Sequence, residues 1–229
     1  MGIQYNPRIV TDGLVLALDA GNTKSYPGSG TAWTDLSGRG NTGTLVNSPA
    51  YSSVNGGSLL FNGTSNYATL PANSINTNAN LTLNYWVKSP LPGTGLIYTL
   101  SSGYTAISHL QVRYVNTAGV VSVQLVNSTV ANMGSFSGFT PVSNAIYFLT
   151  VTLTKSTNTW SLYVNGSFVS SFVSAQTFTT TQPSLGINAG PGSEERFAGN
   201  FYTFSYYNRV LSATEISQNF NALRGRYGI

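Results

Sequence analysis

Apolar and polar positions along the chain fall into short alternating or continuous runs, broken at intervals by Gly, Pro, Asn and Ser. That pattern predicts an all-β fold. Leu14-Val15-Leu16-Ala17-Leu18 is continuously apolar and reads as a strand buried on both faces, ending at Asp19 and a Gly21-Asn22 turn. Residues 22 to 57 read mostly as loop, interrupted by a short strand at Thr44–Val46. Leu59-Leu60-Phe61 leads into a tight Asn62-Gly63 turn and a strand at Tyr67–Leu70. Leu81, Leu83, Tyr85 and Val87 alternate with Thr82, Asn84, Trp86 and Lys88, a half-buried strand in which Trp86 makes the second face partly apolar. Further strands are expected at 96–101, 108–115, 119–126 and 146–154, and a last one at Phe201–Tyr207. The Asn165-Gly166 pair between alternating runs is the clearest hairpin signal, since both residues tolerate the positive φ of a type I′ turn.

One helix is expected, over about 212–223. Ser212-Ala213-Thr214-Glu215 has the spacing of a capping box, and Ile216, Phe220 and Leu223 form one apolar stripe. Gly225 is the expected C′ residue, flanked by arginines that suit the negative end of the helix dipole. The whole reads as a two-sheet antiparallel sandwich over residues 12–229 with one short C-terminal helix, preceded by an N-terminal arm, residues 1–11.

Composition narrows the function. Charged residues make up 7% of the 229 positions, against about 25% in an average soluble domain, so Ser, Thr, Asn and Gly form the polar surface. The net charge of +4 comes from basic residues spread along the chain without a cluster, which argues against nucleic acid as a partner. There are no cysteines for a disulfide framework or thiolate metal site. No apolar run approaches the roughly 20 residues of a membrane helix, and no N-terminal stretch has the layout of a secretory signal, so assembly in a cytoplasm is expected.

Five ordered segments resemble the laminin G-like domains of the concanavalin A-like lectin/glucanase group. They are Asp12–Ala20 with Trp33–Asn41, Leu60–Ala68, Leu81–Lys88, Trp160–Gly166 with its Tyr-Val-Asn-Gly hairpin, and Phe197–Ser212. The resemblance implies a jelly-roll sandwich from about residue 12 to the end. The opening, Tyr5-Asn6-Pro7-Arg8-Ile9-Val10-Thr11-Asp12-Gly13-Leu14-Val15-Leu16, is similar to domains in structural proteins of tailed bacteriophages. That likeness implies a virion protein assembled in the host cytoplasm, with other virion proteins such as the major capsid protein as partners.

The candidate chemistry is sparse. Retaining glycoside hydrolysis needs two carboxyl groups about 5 Å apart. The six acids are Asp12, Asp19, Asp35, Glu194, Glu195 and Glu215, and none has the strand spacing that places two on one face; Glu194 and Glu195 read as loop residues. His109 is the sole histidine, and no Gly-x-Ser-x-Gly elbow or phosphate-binding loop is present. The chain is therefore read as outside the enzymes. The resemblance implies that calcium is possible, held by loop carboxylate and carbonyl oxygens; Asp19, Asn22 and Asp35 are candidate ligands here, but turn capping is the favoured role for both acids and no cofactor is expected.

Two surface functions compete. In the first, a virion decoration docks through protein contacts by its arm, with Tyr5, Pro7 and Ile9 as contacts, and self-association is compatible with it. In the second, a lectin-like adhesin takes host polysaccharide on Trp33, Tyr26, Tyr51 and Tyr104, aromatic residues in turn-rich segments.

Overall fold

The computed structural model describes residues 7–88, 111–117, 120–126, 134–175, 183–190 and 193–229. Eight strands form a large antiparallel sheet: β1 (Leu14–Asp19), β2 (Ala50–Ser52), β3 (Ser58–Asn62), β4 (Leu81–Lys88), β5 (Ile146–Thr154), β6 (Thr159–Val164), β7 (Ser167–Val173) and β8 (Ala198–Tyr207). Their order is β7-β6-β5-β4-β8-β3-β2, with β1 also paired to β8. The long β8 carries β4 along one edge and divides the other: β3 pairs with Ala198–Phe201 and β1 with Thr203–Tyr207. A register slip against β4 between Phe201 and Thr203 re-aims the side chains there. Phe201, Phe204 and Tyr206 enter the core between the layers, whereas Tyr202 and Tyr207 point to the outer side.

The facing layer has a four-stranded part, Ala32–Trp33, Gly43–Val46, Tyr67–Thr69 and Ser184–Leu185. A three-stranded part comprises Gln111–Thr117, Val120–Val126 and Gly134–Phe136. Trp33, Leu45, Ala68, Leu70, Leu185 and Phe136 from these pieces share one buried cluster with Leu16, Leu83, Tyr85, Val151, Leu162 and Phe204 of the large sheet. This is the expected antiparallel sandwich, and period-two alternation explains it.

The outer face of the large sheet is also covered. The helix α1 (Ala213–Tyr227) lies over it, and Ile216, Phe220, Leu223 and Tyr227 meet Leu14, Ala17, Trp86, Phe148, Tyr202 and Tyr207 in a second apolar cluster. Trp86 is central to it, stacked on Phe220 at 5.7 Å and close to Tyr227 at 4.5 Å between ring centroids. The continuous apolar run of β1 follows directly: Leu16 and Leu18 face the inner core, Leu14 and Ala17 the helix. Among the described residues no helix is long and apolar enough to cross a membrane.

Several boundaries differ from expectation. Ala50–Ser52 and Ala32–Trp33 are short strands inside the stretch read as loop. The last strand begins at Ala198, three residues before Phe201, because its first residues gain β3 as a partner. Gly225 does not end the helix. Arg226 and Tyr227 are anchored from below, so the helix keeps another turn and ends at Gly228, whose φ of 73° is left-handed and whose N–H donates to the Arg224 carbonyl. The hairpin has positive φ at both Asn165 (49°) and Gly166 (81°), as its turn requires. Of the remaining expectations, 96–101 and residues 108–110 lie outside the described residues.

Candidate functional site

An accessible aromatic surface lies where the loop after β1 meets β2. Tyr51, on the edge strand β2, is 37% exposed. Tyr26 sits behind it at 4% exposure, with ring centroids 5.6 Å apart and planes tilted by 58°. The Tyr26 hydroxyl donates to the Gly30 carbonyl at 3.2 Å, and backbone bonds from Ser25 and Tyr26 to the Asn22 carbonyl close the loop beneath it. Burial first, and then the Tyr51 phenol, push the Tyr26 hydroxyl above the ordinary phenol range. Gly28 lies under the Tyr51 ring, where an added Cβ would stand 3.5 Å away. Ser29, Thr31, Ser53 and Asn55, all exposed, belong to the loops on either side. The result is one supported ring beside neutral donors and acceptors, chemistry suited to the apolar face and hydroxyls of a sugar.

Trp33 does not join this surface. It is fully buried within the sandwich, so the expectation of an exposed ring there is corrected. Its strand pairs Ala32 with Thr44 and Trp33 with Gly43, which turns the indole inward. Tyr26 is a support for Tyr51 and not itself an open platform. Tyr104 and Tyr5 lie outside the described residues, as does His109.

The carboxylates are engaged by the protein itself. Asp35 accepts from Ala17 N (2.9 Å), Ser37 N (2.8 Å), Ser37 Oγ (2.7 Å) and Asn41 N (2.9 Å). Burial alone would raise its pKa, but these donors outweigh it and hold the carboxyl below its usual range. Asp19 takes a bidentate pair from Arg226, at 2.9 and 2.7 Å, and the N–H of Gly21. A calcium ion at Asp19 or Asp35 would have to displace an arginine or several backbone donors, so these residues do not fit the ion. Asn62 accepts three backbone N–H groups of its own turn, from Thr64, Ser65 and Asn66. Among the described residues no three His, Asp or Glu side chains gather as a metal-binding group.

Glu215 completes the predicted capping box: it accepts from Ser212 N at 2.8 Å while Ser212 Oγ accepts from Glu215 N at 3.3 Å. Arg209 adds a bidentate pair at 3.0 and 2.6 Å, and this arginine, with the Ser212 bonds, lowers the Glu215 pKa from 4.5 to about 2. Arg209 also reaches Asp12 at 2.9 Å. Glu194 and Glu195 belong to a strand, Ser193–Arg196 paired with Ile187–Gly190, and not to a loop as expected.

The arm is fastened to its own domain. Val10 N donates to Asn219 Oδ1 at 2.7 Å, Tyr207 Oη donates to the Val10 carbonyl at 2.8 Å, and Asn219 Nδ2 closes the triangle onto Tyr207 Oη at 3.1 Å. Gln218 holds the Arg8 carbonyl at 2.7 Å. Val10 is buried and Ile9 half-buried against the helix cluster, while Pro7 is exposed. The arm contacts named above thus divide: Pro7 faces outward and Ile9 packs inward. Neither the Val10–Asn219 clamp nor the Asp19–Arg226 pair had a local signal, because the partners are about 200 positions apart.

Comparison with known proteins supplies the context. No curated protein matches the sequence. Domain 4 of AbnA, a GH43 extracellular arabinanase from Geobacillus stearothermophilus solved with arabinotriose, is similar over 90% of this chain and 97% of that one, at 15% identity and a TM-score of 0.67. The Trypanosoma rangeli sialidase in complex with sialic acid aligns with 97% of this chain but 36% of its own, at 18% identity and a TM-score of 0.68. The binding domain of botulinum neurotoxin DC, in complex with rat synaptotagmin II, aligns with 93% of this chain and 52% of its own, at 12% identity and a TM-score of 0.65. This chain therefore spans about a third of the sialidase and half of the toxin domain.

These neighbours correct the expectation of a chain outside the enzymes. Two of them carry glycoside hydrolase names, so the fold does not set this chain apart from enzymes. At such identities the likeness shows the fold and transfers no catalytic residue. The fold is lectin-like, and the profile of the concanavalin A-like lectin/glucanases superfamily matches residues 62–217. The chain belongs to that superfamily.

Proposed function

We propose that this domain binds a polysaccharide at the loop end around Tyr51. One observation carries the reading: an exposed ring on an edge strand, supported from behind by the buried Tyr26, in loops that also expose the neutral polar residues Ser29, Thr31, Ser53 and Asn55. A sugar ring lying on Tyr51 buries its C–H face, and neutral hydroxyls and amides cost less to desolvate than ions would. The arabinotriose complex of a similarly folded domain supports the ligand class. Glycan-array and polysaccharide pull-down measurements test it. Tyr51→Ala is expected to weaken binding at least tenfold while Tyr51→Phe retains it; unchanged binding by Tyr51→Ala overturns the reading.

The resemblance of the opening segment to tailed-phage structural proteins favours a place for this domain on a virion, beside other particle proteins such as the major capsid protein. Pro7, at the exposed end of the described arm, supports a docking role for the residues before it. Deleting residues 1–6 leaves the Val10 clamp intact and is expected to abolish recovery of the protein in purified particles. Normal incorporation of that form rules the arm out as the anchor.

A further inference from the structure

A second concavity lies away from Tyr51, between the arm, β1 and the helix. Its volume is about 420 Å³, within the roughly 300–1,000 Å³ range of small-ligand sites. Leu14, Ala17 and Phe148 of the sheet and Leu223 of the helix line its apolar wall. Its lining comes mainly from the arm, the helix and the sheet face under the helix, with Leu18 and Phe204 of the inner core and Asn22 of the loop also contributing, and neither Tyr26 nor Tyr51 lines it. The space is partly open to solvent at the arm, so it is a cleft that a ligand can enter from water, apolar on one wall and with few polar groups.

Two wall residues indicate its chemistry. Trp86 is fully buried, lines the cavity, and its indole N–H has no acceptor. A buried donor left unpaired is costly, and a ligand acceptor would satisfy it. Arg8 lines the same space, is exposed, and takes no part in the ion pairs of the described residues, which join Arg209 to Asp12 and Glu215, and Arg226 to Asp19. Asp19 also lines the cavity, but Arg226 neutralises it, leaving Arg8 as the uncompensated charge.

We infer that this cavity binds a single acyl chain ending in a carboxylate. The tail lies against Leu14, Ala17, Phe148 and Leu223, and the carboxylate accepts from the donors that Arg8 and Trp86 present. Nothing in this depends on glycan binding at Tyr51.

Decanoate and 1-decanol are the probes, titrated into the whole chain by calorimetry and followed through the indole N–H resonances of its three tryptophans. Saturable one-to-one binding of decanoate is expected, with the Trp86 resonance, assigned by its loss in Trp86→Phe, moving most. Ala222→Phe narrows the cavity from the helix side and is expected to weaken both probes at least tenfold. Arg8→Gln, at an exposed position, is expected to weaken decanoate at least threefold and leave decanol unchanged. It keeps the test valid if the cavity-filling variant does not fold. No saturable binding, a stationary Trp86 resonance, or full affinity in a folded Ala222→Phe overturns the site; equal effects of Arg8→Gln on both probes overturn the carboxylate.

Discussion

Asp35 and Trp33 are two positions apart and both lie in a segment rich in turn-forming residues, yet the fold gives each a structural role. Asp35 ties the Ser37–Asn41 turn to the backbone of β1, and Trp33 fills the space between the layers. Trp33→Ala is therefore expected to cost about 4 kcal/mol of stability, read in urea unfolding, and to lower glycan binding only as far as it unfolds the protein. Glu215 makes a pH prediction. Its folded-state pKa, about 2, lies below the ordinary 4.5, so its stabilising contribution is present above pH 4.5 and is lost as the pH falls toward 2. Thermal melts between pH 5 and 2 are expected to show this loss, and Glu215→Gln to flatten that part of the profile.

At the scale of elements, the helix is the informative case. Gly225 sits in its last turns, exposed, with nothing within 4 Å of an added Cβ. Gly225→Ala is expected to stabilise the protein by about 0.5–1 kcal/mol, measured as a raised Tm. Arg226→Ala should destabilise it by on the order of 3 kcal/mol, because Asp19 is left without its partner in a largely covered position. The helix start was legible in the sequence because a capping box is a local pattern, and its end was not, because the residue that prolongs it bonds to Asp19, 207 positions away. The same distinction runs through the sheets. The Asn-Gly turn of the β6–β7 hairpin was readable locally, whereas β4, expected to be half-buried from its alternation, is covered on both faces, by the core and by the helix. The two-residue strand that buries Trp33 depends on pairing with Gly43–Val46, and its sequence looks like loop. At the candidate sites, Tyr51 was identifiable as an aromatic in a turn-rich stretch, whereas the support of Tyr26 and the cavity beside Trp86 arise only from packing.

For the whole molecule, the large sheet closes only when β8 arrives. β1 pairs with nothing but β8 among the described strands, with partners such as Leu18 and Phe204 separated by most of the chain. The centre of the sheet thus depends on a strand made long after β1. At about 5–20 residues per second, β1 waits on the order of 10–40 s on the ribosome with its apolar run unpaired. Contacts this distant in sequence also slow refolding of the finished chain. A nascent chain halted before Ala198 holds an open sheet edge and an uncovered Trp86, which makes it a substrate for chaperones and proteases until β8 and the helix emerge.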